Sequence, residues 1–417
     1  MKVFRINLYL TLSNYFFSFF YYFKDHEKKI KNIICKNSKK KYFQFSSQLR
    51  VSFLILLKYL KKNYPQKREV IFSSYNLEEM IQIAKNLNLK VIFSDLNYKT
   101  GCLDERNLRK KLNKNTLALV YTNMFNDYKN QLKIQNLCKK NKIIFIEDNA
   151  IYFDNYHLKK NKKFFSGTLG DYTLYSFNIM KNISGLYGGG ISSNNLDFFK
   201  FNEKLQSNFK RFPRLIYLKQ NLIFLILRVF SIGFIYNFLF FYIVKYAHFK
   251  QDKFLLKLFY PSLKFKKKKI PDYYYSTIDK FSKKLVFLQL NNSKQRKKNH
   301  FSRKENNKYY FNIFRKMKLK QVDLLNIQDL NYQNFLDFPI LVKNKVQLNE
   351  FLLEKGFEVK FIHYKNCSKT FNIDSRFNKN AELFERKLIC LPNHSGINKN
   401  YIKNISIAVK EFYSEDD

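Results

Sequence analysis

The sequence predicts an α/β protein with a mainly parallel sheet, followed by a smaller α+β unit. Three observations carry that expectation. Short β-branched runs alternate with helical periods from about residue 48 to 195, one of those strands ends on two carboxylates (Glu147 and Asp148), and a shorter alternation resumes after about residue 281. Alternating strands and helices favour parallel pairing, and such sheets bind ligands at the carboxyl ends of their strands.

The elements follow in order. Lys2 and Arg5 precede an apolar run at 8–23. No small-residue cleavage site follows it, and Ser13 and Asn14 interrupt it, so it reads as an amphipathic or buried helix rather than a signal peptide. Residues 48–62 read as a helix with Leu49, Phe53, Leu56, Leu57 and Leu60 along one side. Residues 70–72 form a short strand, and Asn76 with Glu79 three residues later predicts a capping box at the next helix. Strands at 91–93, 117–121 and 143–146 alternate with helices at 104–112 and 129–140.

The middle changes character. A dense apolar block at 222–247 is flanked by Arg211, Arg214, Lys219, Lys250 and Lys253. A bilayer span takes roughly 20 apolar residues, and Arg228 and Asn237 interrupt this block. It predicts a helical insertion that packs on a partner subunit or rests on a membrane surface, its cations facing lipid phosphate. Beyond it come a helix at 285–310, a strand at 338–342, a helix at 347–355 ended by Gly356, a strand at 357–363, a strand ending at Leu391 and Pro392, and a helix at 398–412. The expected division is a helical arm (1–40), a large domain (41–205), a hydrophobic and basic helical insertion (206–280) and a small carboxyl-terminal domain (281–417).

Composition excludes several classes. At 46% hydrophobic and 18% aromatic residues, the chain is not of the disordered type. Its 46 Phe and 30 Tyr beside 10 Gly, 6 Pro and no Trp reflect A/T-rich codons, so much of the formal charge of +45 follows from mutational drift. That charge still draws the protein toward anionic surfaces. It runs through the whole length, with short dense patches at 159–163 and 266–269, and no zinc-finger spacing, RNP-type motif or basic zipper accompanies it, so nucleic-acid binding is not expected. Five cysteines, never spaced C-x-x-C, give no disulfide framework and favour a reducing compartment; six scattered histidines give no metal pair, and no metal is proposed.

Glycine is the most informative residue, because the composition resists it. Gly167, Gly170, Gly185, Gly188, Gly189 and Gly190 cluster in one short stretch, which asks for backbone freedom or close approach to a ligand, or else marks a hairpin with none. Upstream, Glu147 and Asp148 end a buried-type strand, where one carboxylate can face a pocket. Between them and the last glycines lies Ser176-Phe-Asn178-Ile-Met-Lys181. The order of strand-end acid, Gly-Thr-x-Gly-Asp (167–171) and Ser-Phe-x-x-x-Lys (176–181) is hard to obtain by chance.

With these segments the sequence resembles the DegT/StrS family of pyridoxal-phosphate-dependent sugar aminotransferases. Glu147-Asp148-Asn149-Ala150 is similar to the family's Glu-Asp-x-Ala strand end, and Leu391-Pro392-Asn393-His394 to its closing Leu-Pro-x-His segment. The resemblance runs from about residue 42 to the end, interrupted by the apolar block. It implies an aspartate-aminotransferase-like, fold type I large domain that binds pyridoxal 5′-phosphate. It further implies that Lys181 is the lysine that bonds the cofactor aldehyde and moves the proton, and that Asp148 keeps the cofactor's ring nitrogen protonated. Ser176, with Asn178 in the same motif, joins the cofactor-binding set. Ser47, Gln48 and Arg50 stand at the phosphate loop, and Tyr75 substitutes for a ring-stacking aromatic whose own place holds Leu77. Leu49, Ile151 and Tyr187 also depart from the family pattern. The implied activity is amino transfer, with glutamate as the expected donor, to a nucleotide-linked keto sugar for cell-surface polysaccharide or lipopolysaccharide, by a cytoplasmic homodimer with an expected peripheral membrane contact through 222–247. Dehydratase relatives replace the lysine that is kept here as Lys181. The competing expectation is a degenerate member acting as a membrane-surface scaffold.

Overall fold

The computed structural model describes residues 2–20, 26–125, 127–159, 162–259, 269–326, 335–361, 364–374, 376 and 378–414. Its centre is a seven-stranded sheet built from β1 (Tyr42–Ser46), β2 (Glu69–Ser73), β4 (Lys90–Ser94), β5 (Thr116–Thr122), β6 (Ile144–Asp148), β9 (Tyr172–Ser176) and β10 (Gly189–Ser193). The order is β1-β10-β9-β6-β5-β2-β4. Strands β4, β2, β5, β6 and β9 pair in parallel, and β10 and β1 close one edge antiparallel. This is the mainly parallel α/β sheet that the alternation predicts. Its strands are buried on both faces, as β2 shows with no exposed residue, which is why they read as continuous apolar runs.

Helix α3 (Leu49–Asn63) packs on that sheet and buries ten of its residues, so the single apolar side read from the sequence understates how deeply it sits. Helices α4 (Glu78–Asn86), α5 (Glu105–Arg109) and α6 (Tyr128–Lys140) fill the crossovers. The predicted helix at 104–112 is shorter than expected; Asp104 caps it, accepting from the Arg106 and Asn107 N–H groups. The capping box at Asn76 does not form. Asn76 lies in the two-residue strand β3 (Tyr75–Asn76), which pairs with β13 (Lys365–Asn366). Its Oδ1 accepts from the next residue's N–H, Leu77 becomes the N-cap, and Glu79 turns to Arg50.

The amino-terminal run also differs from a single helix. Leu8 and Leu10 are buried in a non-helical segment, helix α1 starts only at Leu12 and spans Leu12–Phe20, and residues 21–23 of the predicted run lie outside the described residues. Helix α2 (His26–Ser38) leads into β1. After β10 come α7 (Leu196–Ser207) and α8 (Arg214–Phe230). Then α9 (Gly233–Ile235), a π-helical turn (Tyr236–Phe240) and α10 (Phe241–Phe249) run on at a bend of 79° from α8. Helix α11 (Lys253–Phe259) follows. Of the basic patches, 160–161 and 266–268 lie outside the described residues.

The predicted helix at 285–310 is two helices, α12 (Lys280–Asn291) and α13 (Ser293–Met317). Asn292 leaves helical geometry between them (ψ 74°) and caps α13 by accepting from the Gln295 N–H. A three-stranded antiparallel sheet, β11 (Val322–Leu324), β12 (Phe338–Val342) and β14 (Leu388–Leu391), carries α14 (Lys345–Glu354), α16 (Lys379–Lys387) and α17 (Lys399–Ser414). Gly356 ends α14 with φ 89°, as read. No strand forms over 357–361; only Lys360 bridges to Cys390, and 362–363 lie outside the described residues. One hydrophobic core joins the small sheet to the segments just beyond β2, β4 and β5 of the large one, running from Tyr75, Leu96 and Met124 through Tyr310 and Phe338 to Ile402.

Candidate functional site

Strand β6 delivers Glu147 and Asp148 to opposite faces. Glu147 is fully buried, and its carboxylate accepts three backbone N–H groups, from Gly167 (2.8 Å), Leu169 (3.2 Å) and Gly170 (3.1 Å). A Cβ on Gly170 would stand 2.8 Å from the Glu147 Cβ, so the turn needs glycine there to wrap the acid. Asp148 faces a cavity, and among the described residues its carboxylate accepts only the Ala150 N–H, at 3.0 Å.

That cavity encloses about 120 Å³ at the carboxyl ends of β6 and β9. Gln48, Arg50, Asp148, Ser176, Asn178 and Lys181 all border it, so six of the seven residues expected at the site are brought together. The seventh is misplaced. Tyr75 is locked by β3–β13 pairing, its ring packs on Tyr364 and Phe384 in the core, and its hydroxyl accepts from the Tyr364 N–H at 3.1 Å. Leu77, two residues on, borders the cavity instead, and no aromatic ring replaces it at that position.

The glycine cluster has a structural use here. Gly188 (φ 137°) bridges to Gln48, and a Cβ on Gly189 would fall on the Leu49 nitrogen. The two glycines let the start of β10 lie against the turn that begins α3. At that turn, among the described residues, the Ser47 Oγ and Gln48 Oε1 are buried without a hydrogen-bond partner and no side chain caps α3. Unpaired buried polar atoms cost stability unless a further group satisfies them. A helix start with free N–H groups and hydroxyls is a fitting cradle for a phosphate. Arg50 stands beside it, ion-paired with Glu79 and donating to the Tyr274 hydroxyl at 3.4 Å.

Electrostatics separate the two chemical groups from their ordinary values. Burial pushes the Lys181 ammonium down to about 8, with Lys360 and Arg50 adding to the push and Asp148 opposing it. Burial lifts the Asp148 carboxyl to about 6, against the Ala150 N–H and Lys181 and with help from Glu147. Among the described residues, Lys181 Nζ makes no hydrogen bond or ion pair, and it is left free to react.

Lys181 and Tyr364 also border a second cavity of about 220 Å³. Its walls include Arg5 and Tyr9 of the amino-terminal segment, Asp337 paired with Lys360 (3.1 Å), and Asn393 and His394 of the Leu-Pro-x-His segment. His394 Nδ1 accepts from the Gly396 N–H at 3.1 Å, which leaves Nε2 as the donor to the Phe4 carbonyl, also at 3.1 Å. The contributions of Tyr364, Lys360 and the amino-terminal segment have no local motif; they reach the site only through long-range folding. Ile151 borders this second cavity, and Leu49 and Tyr187 the first.

Residues 51–208 match the model of the DegT/DnrJ/EryC1/StrS aminotransferase family. None of the curated proteins is significantly similar to the chain. Among solved structures, the fold is shared with PseC of Helicobacter pylori, an aminotransferase of pseudaminic acid biosynthesis, at 18% identity, TM-score 0.69 and 100% of both chains. It is shared with the E. coli GDP-4-keto-6-deoxy-D-mannose-3-dehydratase, solved with hydrated PLP, at 16% identity, TM-score 0.69, 97% of this chain and 100% of that one. The sugar aminotransferase CalS13 of Micromonospora echinospora follows at 11% identity and TM-score 0.66, over 93% of this chain and 91% of that one.

Proposed function

We propose that this chain, whose residues 51–208 carry the DegT/DnrJ/EryC1/StrS aminotransferase pattern, is a pyridoxal-phosphate-dependent aminotransferase acting on a nucleotide-linked keto sugar in cell-surface glycan synthesis. The observation that carries this reading is one unpaired amine, Lys181, and one buried carboxyl, Asp148, on the same cavity. When bound, the cofactor supplies an aldehyde and an electron-withdrawing ring that allow an amino group to leave its donor. Its phosphate fits the turn where Ser47 and Gln48 are unsatisfied, with Ser176 and Arg50 alongside.

Each residue's part follows from its surroundings. The Lys181 amine can bond a carbonyl carbon, with loss of water, only in its neutral form, and burial raises the share of that form near neutral pH. Once released, the same Nζ accepts a proton at one carbon and returns it at another. Asp148 is ionised above about pH 6, and its charge favours a proton on a ring nitrogen facing it. Asn178 completes the cofactor-binding set. The larger cavity beyond Lys181 is the place for the sugar and for glutamate, the donor we infer. Retention of Lys181 favours transamination over the dehydratase chemistry of relatives that replace it.

In the same reading, 41–205 is the cofactor-binding unit and 281–417 the smaller one, preceded by the arm at 1–40 and separated by the helical block at 206–280. The protein works as a cytoplasmic homodimer with a peripheral membrane contact through 222–247. The test is direct. Purified protein given pyridoxal phosphate should develop a visible absorbance band that borohydride fixes on Lys181, read by peptide mass. A colourless protein that takes up no cofactor would instead support a scaffold that keeps only the fold.

A further inference from the structure

Helix α8 turns an apolar stripe outward. Leu215, Leu218, Leu222, Ile226 and Val229 are all exposed, Leu215 by 82%, at spacings of three and four residues that place them on one face. The opposite face is already used, with Phe224 fully buried against Leu8, Leu10 and Leu285. The stripe continues past the 79° bend through Phe234 (72% exposed), Phe238 (70%), Tyr242, Tyr246 and Phe249. Beside it, α1 exposes Phe16, Phe17, Phe19 and Phe20, and is fixed to α8 by Tyr15, whose hydroxyl donates to Asn221 at 2.8 Å and whose ring meets Phe224. An outward helix face is normally polar, and contiguous apolar patches of this kind mark interaction sites.

We propose that this face lies in the plane of an anionic lipid surface, with α8, α10 and α1 inserted to the depth of their aromatic and aliphatic side chains. Charge selects this occupant over a second copy. Arg214, Lys219, Lys250 and Lys253 are exposed around the stripe, and Asp252 is the only acid between residues 214 and 259. Two copies meeting here would bring like charges together within a chain that already carries +45, whereas lipid phosphates neutralise them. Among the described residues no single helix is long and apolar enough to cross a bilayer, and although α8 and the segment Gly233–Phe249 together have the length and composition of a span, the 79° bend between them and the cations along them favour lying on the surface. The lipid-facing helices are also tied to the wall of the larger cavity. Arg228 donates to the Leu8 carbonyl at 2.7 Å and to that of Leu10, the Lys2 N–H donates to Asn237 at 2.8 Å, and Tyr236 donates at 2.7 Å to Glu358, the partner of Arg5.

This inference deepens the peripheral-contact part of the proposed function and does not depend on the transamination chemistry, so the two fail separately. The full chain is sedimented with vesicles of phosphatidylglycerol and phosphatidylethanolamine and, in parallel, of phosphatidylcholine alone. It should pellet with the anionic vesicles and be released by salt. Leu218→Ser/Leu222→Ser and Phe234→Ser/Phe238→Ser should each lower the bound fraction at least about tenfold, because large apolar side chains leave the interface. Their melting temperatures should match the parent, since all four side chains are exposed. Parent protein that stays in the supernatant, or variants that pellet equally, would overturn the proposal. So would a dimer that the substitutions dissociate and anionic vesicles leave intact, which would assign the face to a second copy.

Discussion

The reactivity of Lys181 should follow its environment rather than its chemical type. Burial moves it from 10.5 to about 8. At pH 7 that leaves roughly one amine in ten neutral, against about one in three thousand for an ordinary lysine, a gain of about 300-fold in the reactive form. The assay is a short pulse of pyridoxal phosphate at a series of pH values, trapped with borohydride, with label on each lysine read by peptide mass. Labelling of Lys181, normalised to the other lysines of the same sample, should be half-maximal near pH 8 and level above it, while lysines of ordinary pKa go on rising past pH 10. Asp148→Asn removes a negative charge that favours the ammonium, so its midpoint should move below that of the parent. A Lys181 midpoint in the ordinary lysine range, or an upward shift in Asp148→Asn, would refute the reasoning.

Three further outcomes follow from the same geometry. Gly189→Ala should cost more than about 2 kcal/mol, since its Cβ lands on the Leu49 backbone, and should abolish cofactor uptake; denaturant melts and absorbance check the two together. Leu77→Phe should tighten pyridoxal phosphate binding about two- to tenfold by adding a ring at the cavity, whereas Tyr75→Phe should leave it unchanged; titration of the absorbance band measures both. Because the unfolded chain binds a proton at Lys181 that the folded chain has released, stability should rise with pH between about 8 and 10.5, and Lys181→Met should remove about 3 kcal/mol of that rise, read from denaturant midpoints.

The parts of the site that are legible in the sequence are those whose reason is local. A run such as Ile-Phe-Ile-Glu-Asp reads as a buried strand with acids at its end, and the Ser-Phe-x-x-x-Lys segment keeps Ser176, the last residue of β9, and Lys181 within six residues of each other. The glycine cluster announces a need for close approach without naming the neighbour; at Gly189 that neighbour is the Gln48–Leu49 backbone. Asn76 reads as a cap by its spacing to Glu79. The strand partner Lys365–Asn366 lies nearly 300 residues away, and that pairing overrides the local preference and carries Tyr75 into the core. The walls supplied by Tyr364 and by Arg5 to Tyr9 are long-range in the same sense, and nothing in their own neighbourhoods marks them.

Adjacent carboxylates on one strand necessarily point to opposite faces, and the fold turns that necessity into two roles. Glu147 spends its acceptors on three N–H groups of the Gly167–Gly170 turn, which fixes the path of the chain into β9 and so the position of Ser176 at its end. Asp148, one residue on, holds a single N–H among the described residues, and burial lifts its carboxyl to about 6. A carboxyl so lifted still ionises at neutral pH, where it faces an amine lowered to about 8. The proton affinities of the pair are thereby drawn toward each other from opposite directions.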